Sequence, residues 1–367
     1  MEKLISILRE VRDPRDFNAR HDCGSMLFVA LMATLCGAKS CVEIADFCSA
    51  NEAALAAIVD LPHGAPSHDS FSRLFRLLDP DEMAHTFTAF AKTLRQALGL
   101  GTVKGVVAID GKRLRRGYER GRACMPPLMI SVWDAETRLS IGACASADGN
   151  EVKATLKALQ SLDLKGCIVT ADALHCHPAM AQAILARGGH YALKLKKNNG
   201  PLYACAARTF AQADACGEAP FCEVCESGHD RTERRRVSVV AAPCDAPNLP
   251  RLVSFGRVES ERRKIGGQVE AYIYYVALSK RLTPRKVMNT IREHWGVENN
   301  LHWPLDVVFH EDEARTRKNH APQNLSFIRR MALDILNAHP DNKSAARKMK
   351  LAAWSNSFLF SLFSYMR

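Results

Sequence analysis

The chain lacks an apolar run long enough to cross a bilayer. Its most apolar stretch, Met26 to Ala38, falls short of the roughly 20 residues a spanning helix needs. That stretch follows charged residues and reads as a core helix; with no signal peptide visible, no membrane partner is expected. Acidic side chains are in deficit, 39 against 50 Lys and Arg, which leaves a formal net charge of +11. Such an excess favours a polyanion as partner, nucleic acid before an anionic lipid surface. Internal repeats and low-complexity tracts are absent. The 13 cysteines lie mostly in apolar segments (Cys36, Cys144, Cys167), which suits a reduced compartment and cysteine used as a small core residue. Cys222 and Cys225 have the spacing of half a zinc site, with Cys216 and His229 as conceivable completing ligands, but a second pair is missing.

An apolar fraction of 47% over 367 residues is ample for two domains, or for one large core with an insertion. From Leu4 to Leu98 nearly every segment has helical periodicity, broken at Asp13-Pro14, Pro62 to Pro66 and Asp79-Pro80. Ser67 is placed to cap a helix carrying Phe71, Leu74, Phe75 and Leu78. Residues 1–100 thus read as an all-helical N-terminal domain. Two readings fit it: a DNA-end-binding module containing a helix-turn-helix, or a scaffold packed on the rest of the chain.

After Gly101 strands are expected at Val106 to Ile109, Leu128 to Trp133 and Leu139 to Ala145, then a helix from Glu151 to Leu162. A strand from Cys167 to Thr170, a helix from Pro178 to Ala186 and a strand from His190 to Leu195 follow. The β-β-β-α-β-α-β order, completed by a later helix, is that of an α+β, ribonuclease H-like core whose first and fourth strands lie side by side. Residues 101–200 supply its first part. Residues 201–282 alternate as strands, notably Arg234 to Ala241, Leu252 to Glu259 and Val269 to Leu278, and read as a β-rich insertion. Residues 283–338 return to a core helix beginning near Pro284, and 339–367 form a basic and apolar C-terminal tail.

Three acidic residues stand out on this frame. Asp110 ends the apolar run from Gly105, Asp172 ends the run from Cys167, and Glu298 lies in a stretch of helical spacing. Carboxylates at neighbouring strand ends and on a facing helix suit two Mg²⁺ ions about 3.5–4 Å apart, which activate a nucleophile and stabilise a leaving oxygen in phosphodiester cleavage. Asp110 would bridge both ions, and Asp172 and Glu298 would each complete one shell. A lone Asp after a strand is commonly a turn residue; the paired occurrence is what points to a site. His294, Glu298, His302 and Asp306 share one helical face, where His302 and Asp306 read first as an ordinary i,i+4 pair.

Basic residues cluster around the same places. Asp110 is followed by Lys112, Arg113, Arg115 and Arg116, where a DNA backbone would have to lie. Lys194, Lys196 and Lys197, closed by Asn198, end the last core strand, and Arg292 and His294 precede the glutamate. Arg315, Arg317, Lys318, Arg329, Arg330, Arg347, Lys348 and Lys350 make the C-terminal third cationic. The expected phosphate contacts are Lys112, Arg113, Arg115, Arg116, Lys196, Lys197, Asn198, Arg292, His294, Arg315 and Arg317.

Several stretches together resemble the DDE transposases of bacterial insertion sequences, above all the As-type family that includes the H-repeat-associated proteins of Rhs elements. They are Ala108 to Lys112, Asn150-Glu151, Val169 to Ala173, Leu195 to Asn198, and the long block from His294 to Trp303 continuing through Asp306 to Phe309 and Glu311-Asp312. They span about two thirds of the chain, and Pro66 to Leu78 resembles the family's helical N-terminal region. The resemblance implies that Asp110, Asp172 and Glu298 are a catalytic triad binding two Mg²⁺ or Mn²⁺ ions. It implies nicking at the element's ends, attack of the freed 3′-hydroxyl on target DNA, a dimer holding two double-stranded ends, and a cytoplasmic protein associated with the nucleoid when bound to DNA.

The chain also departs from related transposases. Around the glutamate they often carry Tyr, Arg, Glu and Lys at places that here hold Ile291, His294, Glu298 and Leu305, with His294 and Arg292 as substitute sources of charge. Trp133, Trp295, Trp303 and Trp354 all lie outside the insertion, which leaves Tyr272, Tyr274, Tyr275 or Phe255 as stacking residues there, if they are not core. Two rival functions fit the same residues: a metal-dependent DNA nuclease that cuts without joining, and a domesticated, non-catalytic DNA-binding relic.

Overall fold

A computed structural model describes residues 1–118, 125–146, 148–228, 231–264, 267 and 269–365. The N-terminal helices are α1 (Glu2–Arg9), α2 (Cys23–Leu35), α3 (Cys41–Ala50), α4 (Glu52–Ala56), α5 (His68–Leu77) and α6 (Pro80–Ala97). Their starts are set by side chains that satisfy free backbone N–H groups: Asp22 caps α2, Ser67 caps α5, and Asp79 followed by Pro80 opens α6. The apolar stretch read as a core helix is α2, buried along its whole length and packed against α1, α3 and a late helix, α12 (Ala321–Ala338).

The strands are β1 (Gly105–Arg113), β2 (Leu128–Asp134), β3 (Leu139–Ser146), β4 (Cys167–Ala171), β5 (His190–Leu195), β6 (Phe221–Gly228), β7 (Arg231–Ala241), β8 (Ser254–Lys264) and β9 (Val269–Leu278). Helices α7 (Glu151–Leu159), α8 (Pro178–Leu185) and α9 (Gly200–Cys216) alternate with them in the middle of the chain. All nine strands form one mixed sheet in the order β3-β2-β1-β4-β5-β9-β8-β7-β6. β1 is parallel to β4 and β4 to β5, whereas β2, β3 and the run from β9 to β6 pair antiparallel. The fold is thus mixed α+β, with a large sheet and a helical N-terminal region. β2 and β3 are buried at every position because helices cover both faces, so their sequences read as unbroken apolar runs.

Alternation along β1 sorts its side chains. Val107 and Ile109 join a core with α7 and α8, and Ala108 joins the core shared by α1–α6, α12 and the closing helices α13 (Ala345–Trp354) and α14 (Asn356–Ser361). The N-terminal helices therefore share their apolar cluster with the sheet and the C-terminal helices.

Three expectations are corrected here. The segment after residue 200 opens with a helix, α9, before any strand, and the strands that follow extend the central sheet edge to edge through β5 and β9. β1 does not end at Ile109 but continues through Asp110 to Arg113, which carries Lys112 into the fold. Cys222 and Cys225 both lie on β6, where a separation of three residues points them to opposite faces, so they do not form half a zinc site; His229 lies outside the described residues. Every described cysteine is free, and among the described residues no helix is long and apolar enough to cross a membrane.

Candidate active site

Parallel pairing sets Ala108 of β1 opposite Thr170 of β4, which brings Asp110 and Asp172 to the same end of neighbouring strands. Glu298 comes from the far end of the chain. Thr283 caps α10 (Pro284–His294), the chain turns at Trp295, and a π-helical segment over Glu298–His302 leads into α11 (Trp303–Val307). π-Turns inside helices recur at functional sites because the extra residue re-aims side chains. Two contacts seat this segment. His294 Nδ1 lies 3.0 Å from the Thr170 hydroxyl of β4, and Gly296 packs against the Trp133 indole of β2. As a result Asp110, Asp172 and Glu298 line one cleft of about 250 Å³, together with Thr170, Lys194, Lys196, Tyr274, His294 and Trp295.

The charges in this cleft are unbalanced in a particular way. Burial pushes the Asp110 carboxyl up to about 7; the Gly111 N–H, 3.0 Å away, opposes the rise, and Glu298, Glu151 and Asp172 add to it. Glu298 is also raised, by burial and by Asp172, against the pull of Lys194. Burial acts to raise Asp172 as well, but Lys194 at 3.4 Å and Lys196 at 3.5 Å outweigh it and hold that carboxyl below its ordinary value. Burial lowers His294 to about 4, with Lys194 and His175 adding to the shift against Asp172, and lowers His302 to about 3, with Arg330 and Lys112 adding. Burial thus works against a positive charge on either imidazole. His302 Nδ1 sits 3.4 Å from Asp110 Oδ2 rather than pairing with Asp306.

Mutually repelling hard oxygen donors are the chemistry a divalent cation relieves, and Asp110, Asp172 and Glu298 fit one on those grounds. As they lie, no three His, Cys, Asp or Glu side chains among the described residues are grouped so that they could hold one ion, and Asp172 is paired with the two lysines.

The expected basic contacts divide. Lys196, Lys197 and Asn198 are exposed at the lip of the site, with the Asn198 amide donating to Ala173 O at 3.1 Å. Arg115, Arg116 and Arg315 are exposed, Arg115 reaching Asp312 at 3.1 Å; Arg113 donates to Pro126 O, and Arg317 to Arg116 O. Arg292 lies 2.5 Å from Glu226 on β6, tying α10 to the outer strands. Lys112 does not face a DNA backbone. It is 7% exposed and stands 2.7 Å from both Asp306 and Asp312. Arg329 and Arg330 are likewise buried, against Glu311, and Lys348 donates to Leu336 O and His339 O.

Glu151, on the first turn of α7, and His175 lie outside the cleft lining but act on it electrostatically, Glu151 on Asp110 and His175 on His294; in the sequence, Asn150 is the cap of α7.

With this geometry in place, comparison with known proteins identifies the class. Residues 101–335 match the transposase DDE domain, and residues 5–91 match the region described as DDE_Tnp_1-associated. The chain belongs to the DDE-domain transposase family. Two Escherichia coli (strain K12) relatives, YbfL and the H repeat-associated YhhI, the latter provisionally named a transposase, are each 30% identical over 99% of this chain and 98% of their own length. A Xanthobacter autotrophicus protein from the dhlA 3′ region is 34% identical over 71% of this chain and 88% of its own. Among solved structures, a piggyBac transposase synaptic complex with hairpin DNA aligns over 99% of this chain and 78% of that one, with TM-score 0.45 and 13% identity.

Proposed function

We propose that this transposase cuts DNA at the ends of an insertion sequence and joins the freed 3′-hydroxyl to target DNA, with Asp110, Asp172 and Glu298 as its catalytic carboxylates. The observation that carries this reading is the convergence of all three on one cleft from β1, from the end of β4 and from the π-turn after α10. The half-sheet β3-β2-β1-β4-β5 with α7 and α8 supports a ribonuclease H-type core, and the outer strands extend it.

Asp110, Asp172 and Glu298 would hold divalent cations, Mg²⁺ or Mn²⁺, which when bound supply Lewis-acid activation and neutralise charge on the phosphate. Lys194 and Lys196 now neutralise Asp172 and are placed to orient a phosphate beside it. His294, uncharged and held by Thr170, fixes the register between α10 and β4 without competing for the anion. Lys197, Arg115, Arg116 and Arg315 are exposed and suited to contacting the backbones of double-stranded DNA. We take the working form to be a dimer holding two ends.

The test is a Mg²⁺-dependent cleavage assay on DNA carrying the ends of the native locus, comparing wild type with Asp110→Asn, Asp172→Asn and Glu298→Gln. Cuts at the element boundary that leave a 3′-hydroxyl and vanish in the variants, with end binding and fold retained, support the reading. Joining to a target plasmid separates a transposase from a nuclease. End binding without cutting under either Mg²⁺ or Mn²⁺ would show a DNA-binding relic instead.

A further inference from the structure

We propose that His302 is the positioning residue of Asp110, holding that carboxylate in its working orientation while taking no part in the cleft itself; the proposal rests on Asp110 being a catalytic carboxylate, as read above. His302 Nδ1 stands 3.4 Å from Asp110 Oδ2, and the His302 side chain is 12% exposed. Asp110 and Glu298 line the cleft, and His302 does not. Against an ionised carboxylate, which only accepts, the ring nitrogen has to carry the hydrogen. The Gly111 N–H lies 3.0 Å from Asp110 Oδ1, so each oxygen of Asp110 faces one N–H, from the ring and from the backbone. Both oxygens keep a further lone pair for another partner.

This contact belongs to a matched pair. Asp110 and Lys112 lie two apart on one side of β1, an advance of about 6.7 Å. His302 and Asp306 lie four apart on the segment that leads from the π-turn into α11, an advance of about 6 Å. The spacings agree, and Asp306 accordingly meets Lys112 at 2.7 Å as His302 meets Asp110. The segment therefore runs along β1 in one register. Because His302 shares its turn with Glu298, that register sets two of the three carboxylates relative to each other. The other ring nitrogen, Nε2, is buried with no hydrogen-bond partner among the described residues. An apolar side chain would fill this space without an unsatisfied nitrogen, so packing alone does not account for a histidine here.

The experiment compares His302→Leu, His302→Asn and Asp110→Asn in the full chain. Each is followed by single-turnover cleavage of bound end DNA in Mg²⁺, by affinity for that DNA, and by urea unfolding without metal. Leu is close to His in volume and has no N–H; Asn is smaller and carries an amide N–H where Nδ1 stands. Cleavage should fall about ten-fold or more in His302→Leu, with end affinity unchanged, and most of it should return in His302→Asn. Stability should rank the other way: His302→Leu loses the unsatisfied nitrogen, and His302→Asn leaves a cavity. A residue that acts only through folding does not produce that crossed ranking. The urea midpoints of His302→Leu and Asp110→Asn should also shift non-additively in the double variant.

A wild-type rate in His302→Leu, beside lost cleavage in Asp110→Asn, would overturn the proposal and leave the site reading standing. So would rates that follow stability across the two His302 variants, or additive urea shifts. If Asp110→Asn cuts no more slowly than wild type, the site reading itself fails and His302 falls with it.

Discussion

Gly296 and Trp133 are in contact so close that a Cβ at position 296 would stand 2.6 Å from Cη2 and Cζ3 of the indole. The glycine lies two residues before Glu298, so the indole on β2 sets how near the acidic segment comes to the sheet. Gly296→Ala should cost about 1–3 kcal/mol through overpacking and displace Glu298 from the cleft. Cleavage should fall with it. In the double variant Gly296→Ala, Trp133→Phe, both urea stability and cleavage should partly recover; strictly additive losses would show that the two residues do not act through each other.

Lys112 is enclosed by Asp306 and Asp312 at 2.7 Å and by Glu311 at 3.8 Å. Removing one partner of a buried ion cluster leaves the others uncompensated, so Lys112→Met should lower unfolding stability by about 3 kcal/mol. A loss below about 1 kcal/mol in urea denaturation would mean that solvent already screens the cluster.

Asp334 makes stability depend on pH. Burial lifts its carboxyl to about 8, against two hydrogen bonds from Ser140 and the charge of Arg330, while in the unfolded chain it titrates near about 3.9. A raised folded-state value means that the folded form keeps a proton the unfolded form has lost. The resulting stability is fully present below about pH 4 and disappears as pH rises through about 8. Asp334→Asn keeps an acceptor for the Ser140 N–H, so its stability should decline less over that window. Parallel urea titrations of wild type and variant from pH 5 to pH 9 check it; coincident slopes would assign the proton elsewhere.

The exposed and buried basic residues should separate in salt titrations of DNA binding. Each phosphate contact contributes about 0.9 to the slope of log affinity against log salt, so Lys197→Ala should flatten the slope by about one unit. Lys112→Gln should leave it unchanged. Equal effects from both would contradict the inward orientation of Lys112.

Much of the core was legible because its signals are local. Cys167–Ala171 and His190–Leu195 are short apolar runs bounded by turns, and Ser67 and Thr283 stand where helix caps belong. α9 was missed because Gly200-Pro201 reads as a turn, yet Leu202, Cys205, Ala206 and Phe210 lie at helical spacing and are its buried face. Lys112 was misplaced because an acidic residue seemed to end the strand; once β1 is allowed to continue, alternation puts positions 110 and 112 on the same side. The contacts of Glu151, His175 and His302 were not legible at all. Each is made with residues distant in sequence, so neither hydropathy nor spacing carries a trace of it.

The π-turn at Glu298–His302 holds one residue more than an α-helical segment of nearly the same rotation would. Deleting one residue inside it would close the bulge into ordinary α-helix and leave the downstream contacts of His302 with Asp110 and of Asp306 with Lys112 close to where they are. An added residue would have to be wound in as further helix, turning everything downstream by about 100° and carrying both contacts away. Members of this family should therefore differ here by the loss of one residue more readily than by the gain of one.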